Sequence, residues 1–118
     1  MRRFLLAALA SSFLVASSAV ALTVQDCEQW MGAIAGELSG VQIRGTNGDK
    51  DRRALLDQLN QARSEGQQGK LDDSIKQVGK LQERAAALTA QGKIGRFEGE
   101  RLDNLTEAAR RCLETVGQ

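Results

Sequence analysis

Two cysteines, Cys27 and Cys112, are the residues of this 118-residue chain with the clearest covalent chemistry. They lack a Cys-x-x-Cys spacing, so they do not indicate a thioredoxin-like redox pair. In an oxidising compartment, two cysteines allow only one pairing within a monomer. We therefore predict a Cys27–Cys112 disulfide. The alternatives are two buried free thiols and bridges between chains.

The chain contains no histidine. This excludes Ser-His-Asp and Cys-His catalytic sites, and it excludes zinc or haem bound through histidine. A Ser–Lys pair or a carboxylate pair remains open. The adjacent carboxylates Asp72 and Asp73 diverge by about 100° on a helix, so they do not form a shared site. They are typical of a solvated helix start, where negative charge suits the helix dipole. The sequence therefore predicts no catalytic residue and no cofactor.

One acidic pattern resembles a metal loop. Asn47-x-Asp49-x-Asp51 lies between two predicted helices, as in an EF-hand. An EF-hand loop requires Gly at its sixth position and a bidentate Glu at its twelfth, where this chain has Arg52 and Gln58. We therefore expect no metal here, and we interpret the pattern as a polar turn before a helix.

The first 21 residues have the organisation of a signal peptide. Arg2 and Arg3 form a positive start, an apolar run follows from residue 4 to 15, and Ala19-Val20-Ala21 is a small-x-small cleavage motif. The apolar run is short for a membrane span. We expect cleavage before Leu22 and a periplasmic or secreted protein of residues 22–118, with no stable membrane anchor. An uncleaved anchor is the alternative.

Charge limits the classes of partner. The formal net charge of +1 falls to −1 when Arg2 and Arg3 are removed with the signal peptide. A nearly neutral protein has no long-range attraction for nucleic acid or for anionic lipid. We therefore expect a protein partner and no nucleic acid.

Four segments repeat apolar residues in steps of three and four, which predicts four amphipathic helices. They cover residues 22–38, 51–64, 70–88 and 97–116. Asp26 is the expected cap of the first helix, and Asp49 or Asp51 that of the second. The second helix is expected to end in the segment 65–69, where Gly66 and Gly69 can take left-handed φ. Residues 41–50 and 91–95 are expected to be turns.

Short connections between amphipathic helices favour antiparallel packing. The predicted fold is therefore all-α, a three- or four-helix antiparallel bundle in a single domain with one disulfide. In the last helix the expected apolar face is Leu102, Leu105, Ala109, Cys112 and Val116, widened by Leu113. The only aromatic residues after residue 21 are Trp30 and Phe97, so the core is expected to be mainly aliphatic.

The first helix carries the least ordinary pattern. Gly32, Gly36 and Gly40 recur every four residues, on the side opposite Met31 and the rest of the predicted apolar face. Glycine in an exposed helix costs up to about 1 kcal/mol relative to alanine, but it lets another helix approach closely. We interpret these glycines as a docking face for a partner or a second copy, with Trp30 at its edge as an anchor. The alternative is a weak helix with Trp30 in the core.

A resemblance covers about residues 55–113. The matching features are the helical leucines, the turn glycines and the alanines of the last helix. They are Leu55, Leu56, Leu59, Ala62, Gly69, Lys70, Ser74, Ile75, Val78, Leu81, Gly92, Lys93, Ile94, Ala108 and Ala109. In these features the segment resembles the FIMAH module, a small helical domain of secreted and surface-attached bacterial hydrolases. Members usually cap the last helix with Ser or Thr, where this chain has Gly95. The resemblance implies a non-catalytic accessory or binding role.

We therefore expect an exported, non-enzymatic helical protein that acts as a protein-binding or accessory module. The partner is expected to be another protein or a second copy of the chain. The alternatives are a periplasmic enzyme inhibitor, a small-ligand carrier with a cavity inside the bundle, and an enzyme with polar groups converging in a pocket.

Overall fold

The computed structural model describes residues 22–118, and the predicted signal peptide lies outside them. The described chain contains four helices: α1 Val24–Gly40, α2 Gly48–Gln67, α3 Leu71–Ala90 and α4 Arg96–Val116. All four predicted helices are therefore present, and the choice between three and four is settled in favour of four.

The helices are arranged as a ring. Helix α1 packs against α2 and α4, and α3 packs against the same two neighbours. Within residues 22–118 no Cα atoms of the diagonal pairs, α1 with α3 and α2 with α4, lie within 8 Å of each other. Sequential helices joined by short connections pack antiparallel, so the fold is a four-helix antiparallel bundle, as predicted.

Aliphatic side chains fill the centre of this bundle. The three-and-four spacing of α1 buries Cys27, Met31, Ile34 and Leu38, each at most 3% exposed. The other three helices contribute residues at the same spacing: Leu55, Leu59, Ala62, Val78, Leu81, Ala85, Leu88, Leu102, Ala109 and Leu113. Removal of these side chains from water is the main force that holds the helices together.

Helix α2 is longer at both ends than the predicted 51–64. It begins at Gly48 after the N-cap residue Asn47, so neither Asp49 nor Asp51 is the cap; both lie in the first turn. It continues through Gly66, which is buried because the Ser74 side chain of α3 packs against it. The helix ends at Gln67, inside the segment 65–69 where its end was expected. Of the two glycines in that segment, only Gly69, with φ +81°, takes the left-handed conformation and makes the turn.

The start of α1 also differs from the prediction. The helix begins after Thr23 rather than at Leu22, and Asp26 lies inside its first turn. The Asp26 carboxylate accepts hydrogen bonds from the Thr23 amide at 2.7 Å and the Thr23 hydroxyl at 3.1 Å. Asp26 therefore stabilises the helix start as the third residue of a capping box, and not as the N-cap itself.

The two turns expected at residues 41–50 and 91–95 meet at one end of the bundle. Ile43 and Ile94 form an isolated antiparallel bridge, in which the Arg44 amide donates to the Lys93 carbonyl at 2.9 Å. Both isoleucines are buried. This contact joins the α1–α2 connection to the α3–α4 connection and closes that end of the core.

The predicted disulfide is confirmed. Cys27 bonds to Cys112, with the two Cα atoms 5.6 Å apart. The bond joins the first turns of α1 to the last turns of α4 at the end of the bundle opposite the Ile43–Ile94 bridge.

Candidate protein-binding face

From Gly32 to its end, after the exposed Gln25 and Gln29, the outward side of α1 is made of small residues. Gly32, Gly36 and Gly40 are exposed, and a Cβ placed on any of them would meet no heavy atom within 4 Å. The three glycines are four residues apart, so they lie in one line along the helix, about half a turn away from its core residues. The structure therefore places them where the sequence predicted. We call this line, together with the exposed Ala33, the glycine face.

The glycine face carries no charge. Helix α1 has three charged residues, and each is engaged within the molecule. Asp26 is bound to Thr23, Glu28 pairs with Arg63 of α2, and Glu37 pairs with Arg101 of α4 at 2.7 Å. The pairing with Glu37 raises the pKa of the Arg101 guanidinium, first through the hydrogen bond and then through the charge of the carboxylate. Glu28 and Glu37 therefore point towards the neighbouring helices and Asp26 is held at the helix start, so the line of glycines carries no charged side chain.

Polar contacts from both neighbouring helices fix the orientation of α1. At its end, Arg52 of α2 donates to the Leu38 carbonyl at 2.6 Å. That carbonyl is one of the last four of the helix, which have no partner inside the helix. The buried apolar side chains of α1 set which side faces the core, and this contact and the ion pairs of Glu28 and Glu37 favour the same orientation, with the glycines outward.

Trp30 lies at the edge of the glycine face, on the side of α4. Residues seven apart lie on the same side of a helix, and Trp30 is seven residues before Glu37. Since Glu37 pairs with Arg101 of α4, Trp30 also lies on the side of α1 that is next to α4. The Cys27–Cys112 and Glu37–Arg101 contacts set an antiparallel register that puts Trp30 level with Ala108 of α4. Its ring is half-buried and packs against the core. Trp30 is thus partly a core residue, and it also keeps an accessible edge beside the glycines.

The acidic residues considered for chemistry form no metal site. Among residues 22–118, no three Cys, Asp or Glu side chains are grouped so that they could hold a metal ion. In the Asn47-x-Asp49-x-Asp51 pattern, the Asp51 carboxylate pairs with Lys93 at 3.4 Å. Asp72 and Asp73 are exposed in the first turn of α3, as expected of a solvated helix start.

A second surface feature was missed by the sequence analysis. The Phe97 side chain is 74% exposed in the first turn of α4, so Phe97 contributes nothing to the core. An open groove of about 480 Å³ lies between the end of α3 and the start of α4. The spacing in the sequence already indicated this exposure, because Phe97 is five residues before the core residue Leu102. That spacing places it away from the apolar face of the helix.

No protein-family model, curated protein or solved structure matches the chain. The resemblance of residues 55–113 to the FIMAH module therefore stays a prediction from the sequence. None of the helices from residue 22 onward combines the length and the apolar character needed to cross a membrane.

Proposed function

We propose that this chain is an exported, non-enzymatic module that binds another protein by packing the glycine face of α1 against a helix of that protein. The observation that carries the proposal is the open space above Gly32, Gly36 and Gly40. A helix backbone can approach closely only where side chains are absent from the surface that it meets.

The energetics of α1 support this function. Gly32 and Gly36 lie inside the helix and together cost an isolated helix about 2 kcal/mol relative to alanine, whereas Gly40 is its last residue. Within the described structure they relieve no steric contact, since no neighbouring atom is near. By contrast, the buried Gly66 and Gly99 each lie against a side chain of another helix. A close contact with a partner gives the α1 glycines a role that packing inside the bundle does not give them.

The chemistry of the glycine face favours a neutral partner helix with a protruding side chain. No charge on the face would attract an acidic or basic segment. The accessible edge of Trp30 supplies an aromatic contact beside the glycines, and tryptophan is enriched among residues that dominate binding energy. The predicted signal peptide and the FIMAH resemblance both favour an accessory role outside the cytoplasm.

The test is Gly36→Leu, with Gly79→Leu of α3 as the matched control because a Cβ at Gly79 also meets open space. Leucine is the better helix former, so both variants should melt at the wild-type temperature or slightly above it. Affinity capture from periplasmic extract should recover the same protein with wild type and Gly79→Leu, and lose it with Gly36→Leu.

Two results would contradict the proposal. Equal recovery with Gly36→Leu would show that the glycine face is not the contact. A loss of several kcal/mol of stability in the free Gly36→Leu protein would show that Gly36 is packed inside the bundle.

A further inference from the structure

Phe97 is exposed without an intramolecular reason. Its side chain is 74% accessible, and it lies three residues before Glu100 and seven before Asn104 on α4. Residues at these spacings share one side of a helix. Glu100 and Asn104 line the groove between α3 and α4. An apolar ring and a groove therefore lie side by side on one surface.

The groove has mostly apolar walls. It is lined by Ala86, Thr89, Ala90, Arg96, Gly99, Glu100, Asp103 and Asn104. At Gly99 the two helices come close: a Cβ there would lie 2.6 Å from Thr89 Cγ2. The small side chains of Ala86 and Ala90 leave the space next to this contact open. A volume of about 480 Å³ is ample for a phenyl ring, which buries about 150 to 250 Å² on entering an apolar site.

We propose that this surface, which we call the Phe97 patch, joins two copies of the chain, with Phe97 of each copy in the α3–α4 groove of the other. A two-fold contact requires both complementary parts on the same patch of one molecule. The ring beside the groove meets that requirement. This inference does not depend on the proposed function of α1.

The charges around the groove suit a second copy. Arg96 and Glu100 are 87% and 62% exposed and only 3.7 Å apart, a weak pair in water. Asp103 adds a second carboxylate to the rim. A rim with both signs is self-complementary, since a two-fold rotation can place Arg96 of one copy against the carboxylates of the other.

Two substitutions separate the ring from the groove. Phe97→Ala removes the ring and leaves the groove open, whereas Ala86→Arg fills the groove and leaves the ring. Both positions are exposed, so both variants should fold. In sedimentation experiments, the wild type should form a dimer with a dissociation constant below about 1 mM. Each variant should raise that dissociation constant by about 30-fold.

Mixing the two variants gives the decisive result. A mixed pair regains one contact, the Phe97 of the Ala86→Arg copy in the open groove of the Phe97→Ala copy. The mixture should therefore associate more tightly than either variant alone. Gly36→Leu is the control and should dimerise like wild type. A monomeric wild type, a mixture no tighter than its components, assembly beyond two copies, or loss of the dimer in Gly36→Leu would each overturn the proposal.

Discussion

Glu107 is the most strongly held charge of the described chain. Its carboxylate accepts hydrogen bonds from Arg110 at 2.6 and 2.7 Å, from Arg111 at 2.9 Å and from Gln82 of α3 at 3.3 Å. These donors, Arg110 first, stabilise the charged form and lower the pKa of Glu107 from 4.5 to about 2. The side chain is 28% exposed, so water screens part of the effect. The cluster orients polar side chains along the α3–α4 contact.

The lowered pKa of Glu107 predicts how the stability of the fold changes in acid. A carboxylate with a lower pKa in the folded state stabilises the fold above its unfolded pKa, and this contribution is lost as the pH falls. For Glu107 the loss runs from about pH 4.5 down to about pH 2. Glu107→Gln should therefore flatten the dependence of unfolding free energy on pH in that window. Denaturant titrations at several pH values measure this slope.

Glu83→Gln, at an exposed carboxylate of α3 outside the cluster, serves as the control for loss of one surface carboxylate. An unchanged slope in Glu107→Gln would mean that solvent screening cancels the effect of the cluster.

The buried residues of α4 show where the sequence pattern failed to predict burial. The stripe predicted for α4 included Leu105, Cys112 and Val116, which are only half-buried, and it omitted the fully buried Thr106. Thr106 can be buried because its hydroxyl donates to the Leu102 carbonyl of its own helix at 2.8 Å. Hydrophobicity alone treats such a residue as surface, so the buried face of α4 is rotated from the one predicted.

At the scale of helices, the periodicity predicted which four segments form helices and, apart from the rotation of the buried face of α4, which sides they bury. It placed the end of α2 in the segment 65–69, where the helix does end, but it did not predict that Gly66 stays helical, because that depends on a neighbouring helix. Ser74 of α3 donates to the Ala62 carbonyl at 2.7 Å and fills the space beside Gly66. This contact keeps Gly66 helical, although glycine at that place normally indicates a stop. Tertiary contacts between helices therefore override a local signal that the sequence shows correctly.

The helical glycines differ in what surrounds them, and this gives opposite predictions for one substitution. Gly36→Ala should raise the free energy of unfolding by about 0.5 to 1 kcal/mol, because alanine is the better helix former and the space is open. Gly99→Ala should lower it by about 1 to 2 kcal/mol, because overpacking outweighs that gain. The new Cβ would lie 3.0 Å from Thr89 Cβ, which cannot rotate away. Thermal and denaturant melts measure both values.

A gain of stability in Gly99→Ala would show that α3 and α4 separate there without cost, and it would remove the basis for the shape of the groove. A loss in Gly36→Ala would show that the glycine face is packed in the free protein.

At the scale of the whole molecule, the two candidate surfaces point in different directions. Helices α1 and α3 are diagonal in the ring, and the groove lies between α3 and α4. If a dimer formed through the Phe97 patch leaves both glycine faces accessible, two linked faces would bind a partner with two sites more tightly than one face does, because the second contact forms within the complex.

Helix α1 is fixed at its two ends by different means. Its first turn is bonded to α4 through Cys27–Cys112, and its last turn is held by Arg52 and by the Ile43–Ile94 bridge that follows. The bonded cysteines are 85 residues apart, so the bond restricts nearly the whole described chain. Closing a loop of this size is worth about 4 to 5 kcal/mol in the chain-entropy model.

Removing the Cys27–Cys112 disulfide should therefore destabilise the first half of α1 more than its last turn. In Cys27→Ala/Cys112→Ala, the melting temperature should fall by about 10 °C or more, at about 4 to 8 °C per kcal/mol. Amide hydrogen exchange should accelerate most in the first half of α1, which loses its covalent attachment and contains glycine in its interior. The amides around Leu38 should stay better protected, because Arg52 and the isoleucine bridge remain. Equal acceleration in all four helices would show that α1 opens only when the whole bundle unfolds, and that its two ends are not held independently.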